Sequence, residues 1–161
     1  MNKSIFSFHV LKAGLLVGTL DILAAFLQYF IKTNKDPLPV LKFIASGVFG
    51  KEAFTSGNGM YAWGLVFHFI ITIAFTVFFF WVFSIAPSLS KYRLLTGIVY
   101  GLFICAVMQF IVLPLSNALK MAFRPLNAML AAGILIVCIG IPLAFLADKR
   151  YNPVKNKLLN S

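Results

Sequence analysis

Charge is scarce in this chain, and acid is scarcest. Asp and Glu together number four in 161 residues, and all charged residues make up 11% of the sequence. A water-soluble domain carries nearer a quarter. Of the four acids, only Asp21 falls inside an apolar segment; Asp36, Glu52 and Asp148 fall in polar stretches. Paired-carboxylate chemistry therefore has no partner for Asp21. Histidine is as rare, with His9 and His68 alone. They belong to different depths of the apolar segments, so two-histidine haem ligation within one chain is not expected. The cysteines, Cys105 and Cys138, both lie within apolar runs without zinc-type spacing, and read as small packing residues. HExxH, GxSxG, a phosphate-binding loop and a dinucleotide fingerprint are all missing. The sequence thus indicates no enzyme class, no metal site and no cofactor.

What fills the chain is apolar surface, at 61% of residues. Residues 60–83, 94–113 and 126–147 contain no Asp, Glu, Lys or Arg, and residues 13–31 contain only Asp21. About 20 apolar residues make a helix long enough to cross the hydrocarbon core, and lipid forces a spanning segment to pair its own backbone groups. The blocks do not alternate as barrel strands would. The expected fold is an all-α membrane protein: a four-transmembrane-helix bundle forming one domain over residues 1–161. The expected spans are about 11–31, 60–84, 94–114 and 126–147, followed by a basic tail over 148–161. Trp63 and Trp81 bracket the second span about 27 Å apart along a helix, where interfacial tryptophans belong.

Asp21 does not disqualify the first span. A mid-membrane Asp costs roughly 2.5–3.5 kcal/mol to insert, and each Leu, Ile, Phe or Val returns about 0.3–0.6. Ten such residues lie between Ala13 and Ile31. Lys12 and Asp21 interrupt the run and no small-residue cleavage site follows, so an uncleaved span is expected rather than a signal peptide. The net charge is +10. Beside membrane spans such charge points to anionic lipid headgroups as partners, and nucleic acid is not expected. Four spans put both termini and the second loop on one side, with Lys3, Lys12, Lys91, Arg93, Lys149, Arg150, Lys155 and Lys157. Six bases lie on the other side. The excess predicts cytoplasmic termini.

The first loop carries a second pattern. Asp36-Pro37 reads as a helix start and Gly50 as a stop, predicting a short helix over about 37–50. Leu41, Ile44, Ala45 and Val48 share one face; Lys42 and Ser46 share another. At about 20 Å this helix is too short to cross, so an interfacial or re-entrant helix is expected. KEAFTSGNG after it reads as a flexible polar stretch, and SNALKMAFRP between the last two spans as a short surface turn.

Helices pack in lipid through small residues and interhelical hydrogen bonds. Residues spaced by three and four share a helix face. That rule gives Gly14, Gly18, Asp21, Ala25 and Gln28 in span 1, and Tyr61, Gly64, His68, Thr72 and Thr76 in span 2. Span 3 offers Gly97, Gly101, Cys105 and Gln109; span 4 offers Gly133, Val137, Gly140, Ala144 and Ala147. Asp21 and His68 fall at similar depth on two packing faces and are expected to lie close, directly or through water. Gln28, Gln109 and Asn127 lie nearer the loop end of the same bundle and would line a polar cavity there. Four readings stand open: a structural contact with a protonated, hydrogen-bonded acid; a proton or ion relay; a small-ligand or cofactor pocket; and two side chains that do not meet. GLLVG and GIVYG, each followed by a late glutamine, also suggest a duplicated two-helix hairpin, on few identities.

AGLLVGTLDILAAFL, IASGVFGKEAF, GLVFHFIITIAF, GIVYGLFICAVMQFIVLPLS and GIPLAF together resemble a group of small bacterial four-span inner-membrane proteins of uncharacterised activity. The layout is more distantly similar to YagU-like proteins. The resemblance covers roughly residues 12–150 and implies a bacterial inner membrane and a self-contained four-span domain. It brings no activity to any residue, though Asp21, Ser46, Gly47, His68, Gln109 and Pro114 lie within it. The leading expectation is a non-enzymatic accessory or interaction protein, with a second copy or another membrane protein as its partner. A proton-coupled transporter or channel-like oligomer using Asp21 and His68 is the alternative, and a membrane cofactor binder the third.

Overall fold

The computed structural model describes residues 7–118 and 125–151; the expected 119–124 part of the third loop and the 152–161 part of the tail lie outside them. The described residues are helical, with no strand among them. α1 is Phe8–Thr33, α2 is Pro39–Phe49 and α3 is the single turn Glu52–Thr55. α4 is Gly59–Ile85. A 3-10 turn, Pro87–Tyr92, leads into α5 over residues 93–115, and α6 is Pro125–Tyr151. α1, α4, α5 with its lead-in turn, and α6 are each long and apolar enough to cross a membrane. The chain is a multi-pass membrane protein built as an all-α four-helix bundle.

Local chemistry sets the helix ends. α1 stops at Asn34, which takes the left-handed conformation (φ 52°) and returns its N–H to the Phe30 carbonyl at 2.7 Å. Asparagine tolerates that conformation better than most residues. The Asp36 carboxylate accepts the Leu38 N–H at 3.0 Å, and Pro39 opens α2 with its φ already set. Gly50 ends α2 at φ 61°.

α5 and α6 each contain one widened turn, Met108–Val112 and Ile136–Gly140. Both have the same cause. Pro114 and Pro142 follow two residues later. A proline ring collides with the carbonyl four residues back and has no N–H to give. The helix answers by adding a residue to the preceding turn: Leu113 N–H reaches back five residues to Met108, and Ile141 N–H to Ile136. The spans therefore pass through their prolines without breaking.

The bundle is closed at the end carrying the termini and looser at the loop end. Val10, Val17, Phe79, Phe80, Phe83, Tyr100, Ile104, Leu143, Ala144 and Ala147 form one buried core at the terminal end. Tyr100 packs at a tilt on Phe79 with ring centroids 4.5 Å apart, and its hydroxyl donates to the Phe75 carbonyl at 2.6 Å. Towards the loops burial stops. The last buried residue of α1 is Ile22, the last of α5 is Ile104, and the first of α6 is Ile139. Only α4 carries buried residues at intervals along most of its length, from Gly64 to Phe83.

Glycine lets the backbones touch. A methyl group at Gly140 would overlap the Gly97 carbonyl oxygen, and one at Gly101 would stand 2.6 Å from Ile136 Cα. Gly14 and Gly18 seat Ile73 and Phe69 of α4. Gly64 takes the backbone of α2, because a methyl there would overlap the Leu41 carbonyl. Phe49, at the other end of α2, meets Trp63 and Phe67 with ring centroids 5.9 Å from each. Both ends of α2 thus touch the same two turns of α4, so α2 lies across that helix near its start. Asn117 holds it from the far side, its N–H on Gly47 and its side-chain amide on the Val48 carbonyl.

Four expectations need correction. Gly133 and Val137 do not pack. Nothing lies within 4 Å of a methyl at Gly133, and Val137 is 64% exposed. The widened turn inserts a residue after Gly133 and rotates the face, so a stripe drawn at uniform spacing leaves the interface there. Ser46 is buried and Val48 exposed, since α2 is gripped from two sides rather than resting on one apolar face; Ser46 is satisfied by donating to the Phe43 carbonyl at 2.6 Å. KEAFTSGNG is not wholly open, because α3 tucks Ala53 fully inside. The basic tail does not begin at 148. α6 continues to Tyr151, and Asp148 is 1% exposed.

Candidate functional site

Asp21 stands at the middle of α1, one turn beyond Gly18. Because Gly18 has no side chain, α4 approaches closely enough for His68 to reach the α1 backbone. His68 Nε2 donates to the Gly18 carbonyl at 2.9 Å. That bond assigns the proton to Nε2 and leaves Nδ1 as the ring's second functional nitrogen. The buried imidazole packs edge-on against Phe69, with centroids 5.4 Å apart. Below it, Thr72 donates to the His68 carbonyl and Thr76 to the Thr72 carbonyl, both at 2.8 Å. These hydroxyls serve their own helix and are not offered across the interface.

Asp21 is partly buried, and its carboxylate lies within electrostatic range of both His68 and Cys138. It has no hydrogen bond to any of the described residues. The three groups come from α1, α4 and the widened turn of α6, which packs against α1 and α5. They lie near the level where the closed half of the bundle begins. Asp21 immediately precedes Ile22, and Cys138 immediately precedes Ile139.

Gln28 and Gln109 do not join this group through hydrogen bonds among the described residues. Gln28 is two turns nearer the loop end, and Gln109 lies in the widened turn of α5. Asn127 is exposed and accepts from Lys32 Nζ, tying the end of α1 to the start of α6. No cluster of three or more metal-ligating side chains occurs among the described residues.

Two groups escape a reading by spacing. Cys138 is brought to Asp21 by the same extra residue that turns Gly133 away. At the terminal end, Asp148 accepts from Ser90 Oγ at 2.5 Å and pairs with Arg93 Nη1 at 3.2 Å. The available signal was periodicity: Asp148 follows Ala144 by four residues and so shares its buried side. Its place in a DKR run argued the other way.

No family model, no curated protein and no solved structure matches the chain.

Proposed function

We propose that this is a proton-coupled membrane protein of transporter or channel type, in which Asp21 takes up and releases a proton and His68 is its partner. The observation that carries this reading is the state of the Asp21 carboxylate: partly buried at mid-membrane, beside an imidazole, and without a hydrogen bond among the described residues. A structural acid in lipid needs a partner that fixes it. Here the partner that could serve, His68, spends one nitrogen on Gly18 instead. Backbone-to-backbone contacts at Gly97, Gly101 and Gly140 leave little room between those helices, so one copy would carry protons rather than a larger solute. A larger solute would need an oligomer.

The basic excess on the side of the termini supports cytoplasmic termini, and the resemblance in five sequence stretches supports a bacterial inner membrane.

The test is proton flux into liposomes carrying a pH-sensitive dye. The wild-type chain should conduct, Asp21→Asn should not, and His68→Gln should conduct at least about tenfold more slowly, since a positioned acid–base group contributes roughly 100-fold or more. Equal flux in wild type and Asp21→Asn overturns the proposal and returns the chain to the accessory reading.

A further inference from the structure

At the terminal end, the start of α1, the end of α6 and one residue of α4 enclose a cleft of about 700 Å3. Its mouth is basic, formed by His9, Lys12, Lys149 and Arg150. Its floor is apolar, formed by Ala13, Leu16, Phe80 and Leu146. No acid lines it. The neighbouring Asp148 is turned to Ser90 and Arg93 instead.

Depth separates the two chemistries. Leu16 is seven residues further along α1 than His9, about 10 Å deeper. The cleft therefore runs from the headgroup level into the hydrocarbon, with cations at one end and side chains suited to an acyl chain at the other. Lys12 is held at the mouth with its ammonium 4.4 Å from the centre of the Phe8 ring.

We propose that this cleft holds one anionic phospholipid, its phosphate at Lys12, Lys149 and Arg150 and an acyl chain along Leu16, Phe80 and Leu146. Basic pockets between spans recognise anionic headgroups by this pairing of charge and depth. A volume of about 700 Å3 falls within the range of built ligand sites. The proposal does not depend on proton movement at Asp21, which lies deeper in the bundle than Leu16.

The test is native mass spectrometry of the full-length protein in detergent, titrated with phosphatidylglycerol or with phosphatidylcholine. One phosphatidylglycerol should be retained per chain, with phosphatidylcholine retained far less. Lys12→Ala/Lys149→Ala should bind phosphatidylglycerol about thirtyfold more weakly, from roughly fivefold per lysine at a membrane surface. Leu16→Trp should also lose the lipid, with every cation still present. Displacement by millimolar inorganic phosphate, or unchanged binding in Leu16→Trp, would mean a bare anion site and overturn the proposal. So would equal retention of the two lipids. Both lysines and Leu16 are exposed, so folding should survive, as unchanged helicity and melting would verify. If the double variant fails to fold, Lys149→Ala alone is read the same way, at about fivefold.

Discussion

Gly140→Ala sets two opposed effects against each other at one position. Alanine favours a helix interior over glycine by about 1 kcal/mol. Against that stands a collision, because the added methyl would overlap the Gly97 carbonyl oxygen and crowd the Gly101 nitrogen at 3.1 Å. Backbone atoms cannot swing away as a side-chain end can, so α5 and α6 must separate along their crossing. Overpacking of this kind typically costs about 1–3 kcal/mol, and a backbone clash belongs at the upper end. The net expectation is a loss of about 2 kcal/mol, roughly thirtyfold in the folding equilibrium. Gly133→Ala is the control. It has open space around it and should be neutral or gain up to about 1 kcal/mol. Gly97→Ala should resemble Gly140→Ala, and the double variant should cost less than the sum, because both methyls press on one contact. The assay is equilibrium unfolding in mixed micelles, followed by circular dichroism. Gly140→Ala as stable as wild type, or Gly133→Ala destabilised equally, refutes both the crossing and the rotation assigned to the widened turn.

Two further outcomes are expected. Arg93→Ala should destabilise by about 1–3 kcal/mol in the same unfolding assay, less than for a fully buried pair because Arg93 is 40% exposed, since it takes away the cation 3.2 Å from the buried Asp148 carboxylate; stability equal to wild type would refute the contribution of that pair. Phe49→Ala should release one end of α2 from Trp63 and Phe67 and speed proteolysis after Lys51 several-fold without moving the main unfolding transition, and an unchanged cleavage rate would refute the clamp.

The spans were legible because lipid imposes a long, charge-free stretch on any helix that crosses it, and proline and glycine mark the loops. The similar depth of Asp21 and His68 could be read from the sequence because antiparallel helices of known rise fix depth. What escaped depends on rotation. Gly133, Val137, Gly140 and Ala144 lie on one face only if each turn keeps the same number of residues. Pro142 changes that number, and one extra residue sends Val137 outward and Cys138 towards Asp21. Asp148 escaped for another reason: its neighbours Lys149 and Arg150 make the stretch look solvated, while its partners Ser90 and Arg93 lie more than fifty residues away. α2 was legible as a helix, but Leu41 against Gly64 and Gly47 against Asn117 are long-range contacts that its own sequence does not announce.

The placement of Asp21 also constrains how a proton would have to travel. Toward the terminal end lies the buried layer of Phe79, Phe80, Phe83, Tyr100, Ile104 and Leu143. The hydroxyls along α4 that point through it, Thr72 and Thr76, are committed to carbonyls of their own helix. Toward the loops, Ala24, Ala25 and Gln28 of α1 are only partly buried. The buried residues thus lie on the terminal side of the carboxylate and the half-buried ones on its loop side. Moving a proton across requires the apolar layer to open, and α6 carries the element suited to that. Its widened turn at Ile136–Gly140 touches both α1 and α5, and Pro142 removes one of the backbone bonds that would resist bending there. A Pro142→Ala chain that restores that bond should therefore slow proton flux while leaving Asp21 and His68 in place; flux equal to wild type would remove α6 bending from the mechanism while leaving the site itself intact.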